Sequence, residues 1–129
     1  MDPADLPEPG TVVRHERTFT RGEVERFADL SGDRGDHHEE PDEDGRVVVH
    51  GLLTATLPTK IGGDLDVLAR TMTFEFHRPV YTGERVACEV TVESVERGDG
   101  RADLDASIEC HDGAGEVVLT GEFDGVVFA

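Results

Sequence analysis

Residues 50–61 read HGLLTATLPTKI, and the placement of this one segment decides the fold. It is largely apolar and long enough for a helix, and an apolar helix must be buried on most of its sides. Pro58 should kink it or end its regular part. Gly62-Gly63 supplies the stop. The chain beyond the glycine pair is strand-like throughout. Val67 to Phe76 comes first, then the turn-rich HRPVYTGE at 77–84. From Arg85 to Val95 the chain alternates, with Val86, Cys88, Val90 and Val92 on one face, and Leu104, Ala106, Ile108 and Cys110 repeat the pattern. Glu116 to Phe128 closes the chain. The turns at 97–100 and 111–115 carry Asp-Gly steps at 99–100 and 112–113, strong hairpin signals. One antiparallel sheet curled around one buried helix satisfies both halves of this pattern, so the class is α+β.

Upstream, residues 1–10 form a Pro-rich acidic stretch, read as a surface arm, and 11–129 form a single domain. Val12 to Thr18 reads as a short strand. Thr20 and Glu23 make a capping box that opens a helix, with Val24, Phe27, Ala28 and Leu30 as its apolar stripe and Ser31-Gly32 as its end. The stretch 31–45, SGDRGDHHEEPDEDG, is polar, holds two internal glycines and a proline, and is predicted to be a loop.

Composition narrows the function. The 129 residues carry 29 acidic and 12 basic side chains, a net charge of -17, with Lys60 the sole lysine. Such a field disfavours nucleic acid and anionic membranes. A hydrophobic fraction of 36% with clear periodicity argues against disorder and for a folded domain with a carboxylate-rich surface, of the kind suited to a salty cytoplasm. Cys88 and Cys110 form no CxxC and are read as small buried hydrophobes. The N-terminus lacks the pattern of a secretory signal, and no stretch approaches membrane-spanning length, so a cytoplasmic protein is expected.

Histidines in the charged loop are the unexpected feature: Asp33, Asp36, His37, His38 and Glu39 fall within seven residues. A solvated polar loop is one reading. A metal site is another, but adjacent histidines point apart and no HxH or HxxxH spacing is present, so no metal is expected. The third is an acid–base pair, a carboxylate and an imidazole flanking one water. The segment VHGLLTAT bears on that choice. Gly51 opens the apolar helix, where the first amides have no internal acceptor and carry the positive end of the dipole. They can serve either as an ordinary capped and closely packed helix start or as donors to a carbonyl oxygen that gains charge.

FADLSGDRGDHH followed by GRVVVHGLLTATL resembles the MaoC-like dehydratase family, which includes the (R)-specific enoyl-CoA hydratases. That family carries S-G-D-x-N-P-x-H and then G-x-x-V-H-G-x-L-x-x-S/T, and FEFHRPVYTGERV is similar to its F-x-x-P-V-x-x-G-D-x-V. The resemblance covers about residues 10–127. It implies a hot-dog fold, with the sheet wrapped around the long helix, side-by-side homodimers or higher homo-oligomers, and a ligand tunnel at or near the subunit interface. It implies Asp33 and His38 as the catalytic pair and Gly51 as the amide that binds a thioester carbonyl. Substrate-binding roles follow for His50 and Thr56. An anionic carrier needs a local basic patch on so acidic a chain; Lys60, Arg78 and Arg85 are the candidates for it, or they are ordinary surface ion pairs. The implied reaction is hydration of a trans-2-enoyl-thioester to the (R)-3-hydroxyacyl-thioester and its reverse, on coenzyme A or acyl carrier protein, with no cofactor. Gly35-Asp36 replaces the family's Asn-Pro, and the stretch from Glu39 to Val49 is short, which implies a more open pocket or one completed by another subunit. The alternatives are a hot-dog thioesterase and a non-catalytic acyl-CoA-binding partner subunit.

Overall fold

A computed structural model describes residues 6–128. Its elements run β1 (Val12–Thr18), α1 (Arg21–Ser31), α2 (Asp36–Glu39), α3 (Gly51–Thr54), α4 (Thr56–Asp64), β2 (Leu68–Phe76), β3 (Arg85–Gly98), β4 (Arg101–His111) and β5 (Val117–Phe128). The strands form one antiparallel sheet in the order β1-β3-β4-β5-β2, with both hairpins at the expected Asp-Gly steps. Alternation sets the inner face. Val86, Cys88, Val90 and Val92 of β3 and Leu104, Ala106, Ile108 and Cys110 of β4 are all buried against Leu57 and Ile61 of α4. The apolar helix therefore lies in the curl of the sheet, as its composition requires.

The curl has a local cause. A Cβ on Gly121 would lie 2.1 Å from the Thr73 carbonyl oxygen, and one on Gly125 would lie 2.4 Å from that of Leu68. Only glycine lets β5 bring the backbone of β2 so close. Of the N-terminal stretch read as an arm, residues 1–5 lie outside the described residues. Leu6, however, is buried against Ala102 and Val127, so the stretch is anchored from there on.

Four local expectations change. The central helix is interrupted at Ala55, three residues before Pro58. A proline offers no N–H to the carbonyl four residues back and its ring crowds that carbonyl, which belongs to Thr54, so the distortion falls ahead of the proline. Pro58 itself sits in the first turn of α4, where it is tolerated. The glycine pair does not stop the helix: α4 continues to Asp64, and the chain turns at Asp66, the only described non-glycine residue with positive φ, at 60°. Leu30 is not part of the buried stripe; it is 84% exposed, and α1 packs through Val24, Phe27 and Ala28. Finally, the loop at 31–45 contains a helical turn, α2, which follows Gly35 as its N-cap and buries His38. The capping box of α1 forms as read, with Thr20 and Glu23 bonded reciprocally and Gly32 left-handed at the end. Among the described residues no helix is long and apolar enough to cross a membrane.

Candidate active site

Two short pairings hold the charged loop against the fold. Val48 bridges Tyr81, the Val49 N–H donates to the Val80 carbonyl, and the Thr82 N–H donates to that of Val47. The Val48 N–H donates to the His37 carbonyl at 2.9 Å, which ties α2 to this stretch. His38 is consequently only 7% exposed. Its Nδ1–H donates to the Val48 carbonyl at 2.7 Å. A carbonyl can only accept, so Nδ1 carries the proton and Nε2 of the neutral ring carries the lone pair. That Nε2 lies 3.5 Å from Oδ2 of Asp33.

Asp33 is held by its own turn. Its Oδ1 accepts the Gly35 N–H at 3.1 Å, and its N–H donates to the Ser31 hydroxyl. The Gly35 amide, helped by the charges that His38, His50 and His37 can carry, holds the carboxyl below the usual aspartate range. The carboxylate is more than half exposed, so it stands at the edge of the site, not inside a dry tunnel.

His38 and Gly51 line one cavity of about 350 Å³, together with His37, Thr54, Phe76 and Arg78. Gly51 opens α3, so its N–H has no acceptor within the helix. A Cβ there would meet the Phe76 ring at 2.9 Å, so glycine lets β2 and the helix tip close on each other. The structure thus brings His38 and Gly51 to one cavity, while Asp33 lies beside His38 and does not line it. Arg78 also reaches the cavity and pairs with Glu116 at 3.4 Å.

The other candidates fall elsewhere. His50 is 2% exposed and does not line the cavity; its Nε2–H donates to the Asp33 carbonyl at 2.9 Å. The Thr56 hydroxyl is used on the Leu53 carbonyl at 2.6 Å, while Thr54 lines the cavity. Lys60 pairs with Asp64 on the exposed side of α4, and Arg85 pairs with Glu16. The spacing Gly51 to Thr54, i to i+3 on one helix face, was the signal for Thr54. His77 and the Val48 carbonyl come from distant segments and had none, whereas Phe76 opens the F-x-x-P-V stretch, which marked the segment without giving this ring a role.

Asp33, His38 and His50 each offer a ligand atom within 4.8 Å of the others. A metal does not suit them. The rings of His38 and His50 are stacked, 3.8 Å apart and 16° from parallel, and an imidazole binds a metal in its own plane, so the two lone pairs cannot converge.

The thioesterase superfamily is matched over residues 52–98. No curated protein sequence matches the chain. Among solved structures, the (R)-hydratase from A. caviae, involved in PHA biosynthesis, is 29% identical over 97% of this chain and 99% of its own, with a TM-score of 0.80. An R-hydratase from Pseudomonas aeruginosa is 21% identical over 95% and 82%, with a TM-score of 0.81. The MaoC-like dehydratase from Rhodospirillum rubrum is 17% identical over 95% and 93%, with a TM-score of 0.77. With the wrapped helix, the strand order and these likenesses together, the chain has the hot-dog fold and is similar, within it, to the (R)-hydratase from A. caviae.

Proposed function

We propose that this chain reversibly hydrates trans-2-enoyl-thioesters to (R)-3-hydroxyacyl-thioesters. The observation that carries the reading is a buried His38 that lines the same cavity as Gly51 and whose bare Nε2 lies 3.5 Å from Asp33. In this reading the Asp33 carboxylate, ionised at neutral pH, orients a water against His38. Nε2 takes one proton as the hydroxyl adds to C3. The C2–C3 π pair moves toward the thioester, and the Gly51 amide receives the charge that develops on the carbonyl oxygen. The imidazolium, steadied by Asp33, returns the proton to C2. The sum is one water added, and the reverse is dehydration. No cofactor enters the scheme. The (R) configuration follows the likeness to the (R)-hydratases.

The test is loss of enoyl absorbance from crotonyl-CoA. Asp33→Asn and His38→Ala should each slow hydration by about 10²–10⁴-fold, the usual worth of acid–base catalysis. Undiminished hydration in both variants would overturn the mechanism. The match to the thioesterase superfamily favours one second reading, hydrolysis of the acyl-thioester. Free-thiol release from the same substrate, in the absence of hydration, would select it.

Self-association fits the same reading. Leu68, Met72 and Phe76 of the edge strand β2 are exposed beside Leu52 of α3, and a second copy paired along β2 would cover them. A cytoplasmic setting suits Cys88 and Cys110, which face each other in register as free thiols.

A further inference from the structure

We propose that His50 is a positioning residue that fixes both Asp33 and His38, and not a group that binds substrate; this rests on the hydratase reading. Its ring lies in an aromatic cluster. It stacks on His38, centroids 3.8 Å apart and planes within 16°. Phe27 also meets it, with centroids 4.9 Å apart and planes tilted by 58°. At its far end Nε2–H donates to the Asp33 carbonyl at 2.9 Å. Its own peptide leads directly into Gly51. One side chain therefore registers the carboxylate, the imidazole and the amide against one another.

Each contact has a distinct consequence. The stack sets the plane of the His38 ring, so that Nδ1–H meets the Val48 carbonyl and Nε2 is turned toward Asp33. The bond to the Asp33 carbonyl anchors the turn in which the Gly35 amide orients the Asp33 carboxylate. At 2% exposure, and outside the cavity wall, the ring has no route to substrate. Its remaining nitrogen, Nδ1, is buried with no hydrogen-bond partner among the described residues. An orphaned acceptor is a cost that a phenyl ring would not carry. A flat ring with a donor at its tip is what the two catalytic groups require, and phenylalanine supplies only the first part.

The experiment uses His50→Phe, which keeps the ring, His50→Gln, which keeps a donor, and Phe27→Leu, which loosens the cluster. Crotonyl-CoA hydration is measured together with imidazole nitrogen-15 NMR of the free protein. A misplacement near 1 Å is worth about 10²-fold in rate. We therefore expect each His50 variant to lose about ten- to a hundredfold in kcat with KM held within about twofold, and Phe27→Leu to lose less. Wild-type spectra should show His38 protonated at Nδ1 and bare at Nε2, with the opposite tautomer at His50. In His50→Gln the His38 signals should move toward a mixture. A raised KM with kcat intact overturns the proposal, and so do unchanged kcat and KM in folded variants. If the wild type hydrates nothing, the reading of function fails separately and the spectra alone decide. A shifted His38 tautomer in the variants then supports positioning, and an unshifted one overturns it.

Discussion

At the scale of single residues, burial separates the histidines. His38 is buried but lines a cavity, His50 is buried and bonded inward, and His37 and His77 stand on the cavity wall. Aspartates divide in the same way. Asp42 caps its own turn, accepting the Arg46 and Asp44 amides and the Arg46 guanidinium, and these bonds, the Arg46 amide foremost, hold its carboxyl below the usual range. A depressed folded-state value means the stabilisation is fully present above the unfolded value and disappears as pH falls through the folded one. Asp42→Ala should therefore melt lower than the parent at pH 7. The gap should close only below about pH 3.9, the ordinary aspartate value. Thermal melts of both proteins across acid pH check this, and a gap that persists unchanged to the lowest pH would show that the turn is held by something else.

At the scale of elements, the sheet depends on two glycines in β5 as much as on its apolar alternation. Phe74 of β2 pairs with Gly121, and the β2 backbone occupies the space a side chain there would need. Gly121→Ala must push β2 off β5 and should cost about 1–3 kcal/mol, or more if β2 detaches. Urea unfolding measures it; an unchanged midpoint would mean that the sheet opens freely at this edge. The interrupted helix is a second case. Because the break falls at Ala55, α3 is a separate short piece whose first residue is Gly51.

At the scale of the whole molecule, the acidic charge bears on stability. The outer face of the sheet puts Glu89 directly opposite Glu109 and Asp105 opposite Asp124, on a chain of net charge -17. Like charges across a strand pair repel, and salt screens them within a Debye length of about 10 Å at 0.1 M. The melting temperature should rise with potassium chloride up to molar concentrations, and a flat or falling series would refute the reading. The proposed pairing of two copies along β2 is tested at this scale. Met72→Asp places a charge on the exposed apolar edge and should convert a dimer to monomer in light scattering. A parent that is monomeric, or a variant that stays dimeric, would rule out pairing along β2.

Periodicity and turn chemistry are local, and they settled the elements: the alternation from Val86 to Val92, the hairpins at Asp99-Gly100 and Asp112-Gly113, and the capping box at Thr20 all form as read. An apolar segment at 50–61 with strands after it left one arrangement, a sheet around a helix. The motif spacing likewise brought Asp33, His38 and Gly51 to notice. Tertiary contacts decided the rest. Whether Thr54 or Thr56 meets the cavity depends on how the helix is rolled against β2, and Phe76 and the Val48 carbonyl reach the site only because the sheet closes. His50 could be read from sequence as a ligand to substrate, since a motif gives a position and not a direction. Its burial against Phe27 and His38 is a property of three segments packed together, and no one of them specifies it.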